Sequence, residues 1–91
     1  MTTERRQIRF EGRVQGVGFR ATVRSLAPGF AVSGWVRNEP DGSVLAEIQG
    51  EPAEIERLLE AVRTRMARNI AVEHAAARDL IAREEGFEIR R

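Results

Sequence analysis

GRVQGVGFR, residues 12–20, decides how this chain folds. Before it, in QIRFEG, Ile8 and Phe10 alternate with Arg9 and Glu11, the period-two pattern of a strand with one buried face. After it, Phe19, Val23, Leu26 and Ala27 share one face of a helix. The stretch between is a strand-to-helix turn, and its glycines let the backbone curl through positive φ. A curled backbone at a helix start aims several N–H groups into one space, and the helix dipole adds positive potential there. The expectation is an anion nest built from the backbone of Gln15, Gly16, Val17, Gly18 and Phe19. Arg20 stands at its lip, with a planar, permanently charged fork suited to phosphate oxygens.

Working outward, the first strand is expected over about Gln7–Arg13 and the first helix over Phe19–Ala27, stopped by Pro28-Gly29. A second strand spans Ala31–Asn38. Glu39-Pro40-Asp41-Gly42 is a tight-turn signal, so the next strand, with Val44, Ala46 and Ile48 on one face, completes a hairpin. Pro52 opens a second helix, whose apolar stripe is Ile55, Leu58, Leu59, Val62 and Met66. Ile70 and Val72 begin a fourth strand that weakens towards Ala75-Ala76-Ala77. Residues 78–85 fit no pattern, and Phe87 and Ile89 make a short last strand. The order predicts an α+β fold over residues 1–91 as a single domain. It is a ferredoxin-like βαββαβ sandwich, an antiparallel sheet with two helices on one face and a short extra C-terminal strand. That fold hosts unrelated activities, so function has to be read from the site.

Composition narrows the classes. The chain has 91 residues, 42% of them hydrophobic, which suits one small core. It has no cysteine, and all fifteen basic residues are Arg, set against fourteen acidic ones for a net charge of +1. That mixed surface is unlike the one-sided basic field of a nucleic-acid binder. No apolar run is long enough to span a membrane, and MTTERRQ enters charge directly without an apolar leader, so a cytoplasmic location is the default expectation.

GRVQGVGFR, the GWVRN block at Gly34–Asn38 and the closing GFEIRR at Gly86–Arg91 together resemble the acylphosphatase family. The resemblance spans nearly the whole chain. It implies hydrolysis of the carboxyl-phosphate anhydride of an acyl phosphate, a small-molecule substrate, to a carboxylate and inorganic phosphate. It also implies Arg20 and Asn38 as catalytic residues, with Asn38 positioning the attacking water. An amide side chain can donate to and accept from a water without titrating. On its own, Asn38 would read as a residue closing a strand before a turn.

The remaining residues suit this chemistry by what they lack. There is no Cys, Tyr or Lys to serve as nucleophile, and Ser25, Ser33 and Ser43 have no recognisable base partner. One His and no Cys serve a metal poorly, so neither a metal site nor a cofactor is expected. His74 reads as a partly buried structural residue, Asp41 as a turn residue and Trp35 as packing. A phosphate ester needs its leaving group protonated or metal-bound. A carboxyl-phosphate anhydride releases a stable carboxylate and needs neither. Direct attack by water, without a covalent intermediate, is the reaction a nest, one Arg and one Asn can support.

The chain departs from the family pattern at Ala21, where an aromatic is common, at Pro28, and in Ile81–Glu85. Two other classes compete. A non-catalytic anion-binding module on the same fold would share the nest. An RNA-binding module would need exposed aromatics on the central strands, where this chain offers only Phe10 and Trp35. A monomer without nucleic-acid or membrane partners is the expectation.

Overall fold

The structure is a computed structural model and describes residues 2–91. The strands are β1 (Glu4–Gly12), β2 (Val32–Asn38), β3 (Val44–Gly50), β4 (Ile70–Arg78) and β5 (Phe87–Ile89), and the helices are α1 (Phe19–Leu26) and α2 (Pro52–Arg65). A short 3-10 turn over Ala27–Gly29 follows α1, so Pro28 ends the helix as its missing N–H requires. The strands form one sheet in the order β4-β1-β3-β2-β5. The first four pair antiparallel. The short extra C-terminal strand is present as expected and pairs parallel to β2, a direction the sequence pattern did not specify. Among the described residues no helix is long and apolar enough to cross a membrane.

Both helices bury their apolar stripes in one cluster with the even-numbered face of β1. Ile8 and Phe10 meet Val23, Phe19, Ile55, Leu58, Leu59 and Val62 there, together with Val36, Val44, Ala46 and Ile48. Each Val, Leu, Ile or Phe among them contributes roughly 1.5–3 kcal/mol of transfer free energy relative to exposure. In GWVRN, Gly34 is required by space and by angle. Its φ is +152°, and a Cβ there would lie 1.9 Å from the Glu47 carbonyl oxygen and 3.1 Å from the Phe87 ring.

The opposite face of the sheet is not bare. Residues 79–86 leave β4 at one edge and must reach β5 at the other. That is four strand spacings, about 19 Å, for eight residues whose greatest reach is about 26–29 Å. The segment therefore has length enough to cross as a strap with a turn at residues 82–83. It is fastened to Arg5, whose side chain is 0% exposed. Arg5 Nη1 and Nη2 donate to the two carboxylate oxygens of Glu84 at 2.8 and 3.1 Å, and Nε donates to Glu47 Oε1 at 2.6 Å. Ser33 Oγ also donates to Glu84, and Gln49 exchanges hydrogen bonds with the backbone of Ile81. This explains why β1 starts at Glu4 rather than near Gln7: a buried, paired Arg occupies a position that reads as solvent-facing. His74 also differs from expectation. It is exposed on the strap face, with Nε2 2.9 Å from Glu11 Oε2, and is not a core residue. Trp35 is buried as expected, its ring flanked by the guanidinium groups of Arg37 and Arg90 at 4.8 and 5.0 Å.

Burial alone pushes the Glu84 carboxyl up, but the hydrogen bonds from Arg5 and Ser33 outweigh it and leave the carboxyl below its ordinary value. Glu56 is held low by the hydrogen bonds from Arg6 and Arg63. A carboxyl with a depressed folded value stabilises the fold above its unfolded value, and that stability is lost as pH falls through the folded one. Urea midpoints should therefore be flat from neutral pH to about pH 5 and fall steadily below about pH 4. A midpoint unchanged down to about pH 3 would contradict the paired state of these carboxylates.

Candidate active site

The turn between β1 and α1 is held in its curl from three sides. Val14 and Phe19 are buried, and the Phe19 ring packs on Phe10 with centroids 4.9 Å apart. Gln15 Nε2 donates to the carbonyl oxygens of Glu39 and Ser43, both at 2.8 Å, tying the turn to the β2–β3 hairpin. Asn69 closes the third side: its carbonyl accepts the Arg13 N–H at 2.9 Å, and its Nδ2 donates to the Arg13 carbonyl at 3.0 Å. The hairpin is itself locked. Asp41 Oδ1 accepts from the Ser43 N–H and hydroxyl, which places Asp41 in the turn role read from the sequence.

Gly18 caps α1 at φ 78°, a left-handed angle, and Gly16 has φ 74°. A Cβ at either would meet nothing within 4 Å, so these positions demand the angle, and the space above them is open. No side chain caps α1, and Thr22 makes its first internal N–H bond, to the Gly18 carbonyl. Among the described residues no acceptor takes the backbone N–H of Gly16, Val17, Gly18, Phe19 or Arg20. Free donors at a helix start carry the positive end of its dipole.

Gly16, Gly18, Phe19 and Arg20 border a cleft of about 150 Å³ that Val14 and Asn38 also line, with Ala21, Ile89 and Arg91 as further walls. Arg20 is half-buried, and among the described residues no carboxylate lies within ion-pair distance of it. Asn38, the last residue of β2, brings a buried Oδ1 that has no hydrogen-bond partner among the described residues. A buried unpaired acceptor costs about 1–3 kcal/mol, so it stands ready for a donor from outside the protein. Larger hollows lie elsewhere, of about 490 Å³ beside β1 and β4 and about 610 Å³ between α1 and α2. Neither gathers free backbone donors around an unpaired Arg, and donor chemistry decides here over volume.

Of the residues expected at the site, Gly16, Gly18, Phe19, Arg20 and Asn38 meet in the cleft. Gln15 turns its side chain away to the hairpin, and Val17 is exposed at the apex of the turn. Ile89 and Arg91 were missed as wall residues. Their signal lay in the alternation of Phe87, Ile89 and Arg91 along the last strand, which carries every second side chain to the helix face.

Fold and cleft together define a ferredoxin-like α+β sandwich whose free donors gather at its first strand-to-helix turn. Comparison with known proteins is specific. The acylphosphatase family model matches residues 6–89. The acylphosphatase of Salinibacter ruber is 45% identical over 99% of this chain and 96% of its own. The crystal structure of the Bacillus subtilis acylphosphatase superposes with a TM-score of 0.84 at 26% identity, covering 99% of this chain and 100% of the other. A Coxiella burnetii acylphosphatase gives 0.80 at 25% identity, over 97% and 93%. The chain belongs to the acylphosphatase family. Membership makes it a hydrolase and implies a small-molecule acyl phosphate as its substrate.

The Gln15 tether gives a test of how the cleft is held. Gln15→Ala removes both hydrogen bonds to the hairpin while leaving every residue that lines the cleft in place. It should cost roughly 1–3 kcal/mol of stability and weaken inhibition by phosphate several-fold. Wild-type phosphate affinity in this variant would show that the tether does not shape the turn.

Proposed function

We propose that the cleft hydrolyses the carboxyl-phosphate anhydride by direct attack of water on phosphorus. The free N–H groups of Gly16–Arg20 and the Arg20 fork would hold the phosphoryl oxygens, whose charge they match without moving. The unpartnered Asn38 Oδ1 would accept a hydrogen bond from the attacking water, and this orphaned acceptor is the observation that carries the reading. The water oxygen forms a bond to phosphorus as the phosphorus–acyl oxygen bond breaks. The carboxylate leaves with the electron pair, and the surplus proton of the water passes to phosphate or solvent. A carboxylate is stable at neutral pH, so we read the reaction as independent of a metal or other cofactor, with turnover unaffected by a chelator. Residues 1–91 would act as one domain. A cytoplasmic monomer without nucleic-acid partners fits the evenly mixed charge.

Turnover of benzoyl phosphate tests the reading, paired with phosphate inhibition on two variants. Asn38→Ala should lower kcat by roughly 10²-fold or more with phosphate affinity nearly unchanged. Arg20→Lys keeps the charge but loses the two-pronged grip, and should weaken both. A folded Asn38→Ala protein with normal turnover would remove the water-positioning role. A protein that binds phosphate but turns over nothing in wild-type form would instead be an anion-binding module.

A further inference from the structure

The strap and the cleft lie at opposite ends of the sheet, and β5 joins them. Arg5, Gln49 and Ser33 are register partners in one row across β1, β3 and β2. The strap crosses at this row and ends at Gly86, whose carbonyl accepts the Gly34 N–H at 3.0 Å. From there β5 runs along β2, pairing Phe87 with Gly34 and Ile89 with Val36, and Arg90 N–H donates to the Val36 carbonyl. It delivers Ile89 and Arg91 to the cleft beside Arg20 and Asn38. A three-residue edge strand has little ladder of its own with which to hold its register.

We propose that Arg5 is a positioning residue for the cleft, acting through Glu84 and the strap to fix β5, and with it the Ile89–Arg91 wall. This rests on the cleft being the active site. Arg5 touches no residue of the cleft. Its side chain is wholly buried and fixes Glu84 with both prongs of its fork, a geometry that specifies one position rather than a range. Glu47, Gln49 and Ser33 surround the pair, so each charged group has partners and the latch sits on the three central strands. Gln49 holds the strap a second time at Ile81. Only Glu85 separates Glu84 from Gly86, whose carbonyl is bonded to Gly34, so a shift at Glu84 passes to Gly86 and β5.

The test uses Arg5→Met and Glu84→Gln in the full chain. KM for benzoyl phosphate and the inhibition constant for phosphate are measured at a temperature where each variant is folded. Hydrogen exchange is followed at the Gly34 and Arg90 amides, which bond across the β2–β5 junction, and at amides of β3. The expected result is a rise of about fivefold or more in both constants, with faster exchange at Gly34 and Arg90 and unchanged protection in β3. A purely structural latch would lower the melting temperature and leave both constants at wild-type values, and that result overturns the proposal. So would faster exchange at β5 with unaltered constants. If Arg5→Met does not fold because it strands two partly buried carboxylates, Glu84→Gln decides alone: it keeps the size but turns one acceptor oxygen into a donor and so breaks the two-pronged contact. A wild-type protein without turnover would defeat the activity reading instead, and the latch would then be judged on phosphate affinity and exchange.

Discussion

Backbone N–H groups at the start of α1 that have no acceptor within the protein are the constraint on which the rest of the structure depends. A free loop would relax to bond such donors within the protein rather than leave them all to solvent or a ligand. This loop cannot relax. Val14 and Phe19 are sunk in the core, Gln15 is tied to the hairpin, and Arg13 is tied to Asn69. The two left-handed glycines complete the curl at angles other residues adopt only with strain. The donors stay aimed outward, and the natural complement to them, with the helix dipole and Arg20, is an oxyanion.

Sheet direction explains why so few residues suffice. β1 and β2 run the same way, because each is antiparallel to β3. The end of β1 that launches the loop therefore lies at the same end of the sheet as the end of β2 that carries Asn38, with the start of β3 between them. β5 is parallel to β2 and reaches the same end. Three strand ends converge on one cleft, and the core beneath it, shared by α1, α2 and the sheet, fixes their relative heights.

The sequence was most legible where periodicity is local. Phe19, Val23 and Ala27 mark α1, the Pro-Asp-Gly turn marks the hairpin, and the Ile55–Met66 stripe marks α2, each within a few turns or residues of its cause. It was least legible where polar residues are buried by distant partners. Arg5 looks solvated until Glu84, 79 positions away, is laid across it. The strap has no apolar period because its attachments are side-chain hydrogen bonds, and the parallel direction of β5 follows only once the strap is known to cross the sheet. Of the site, the loop, Arg20 and Asn38 could be read from motif chemistry. The unpartnered state of Asn38 and the presence of Ile89 and Arg91 in the cleft depend on the fold and could not.

The most direct measurement is an amide-resolved titration of the wild-type protein with inorganic phosphate by NMR. If the free N–H groups form the phosphoryl site, the amides of residues 16–20 should shift together along one binding curve, moving in the direction expected of N–H groups that gain a charged acceptor. The amides of the strap and of β4 should stay still. Saturable phosphate binding with the loop amides unmoved, or with the largest shifts on the strap face, would contradict the assignment of that loop as the seat of the chemistry.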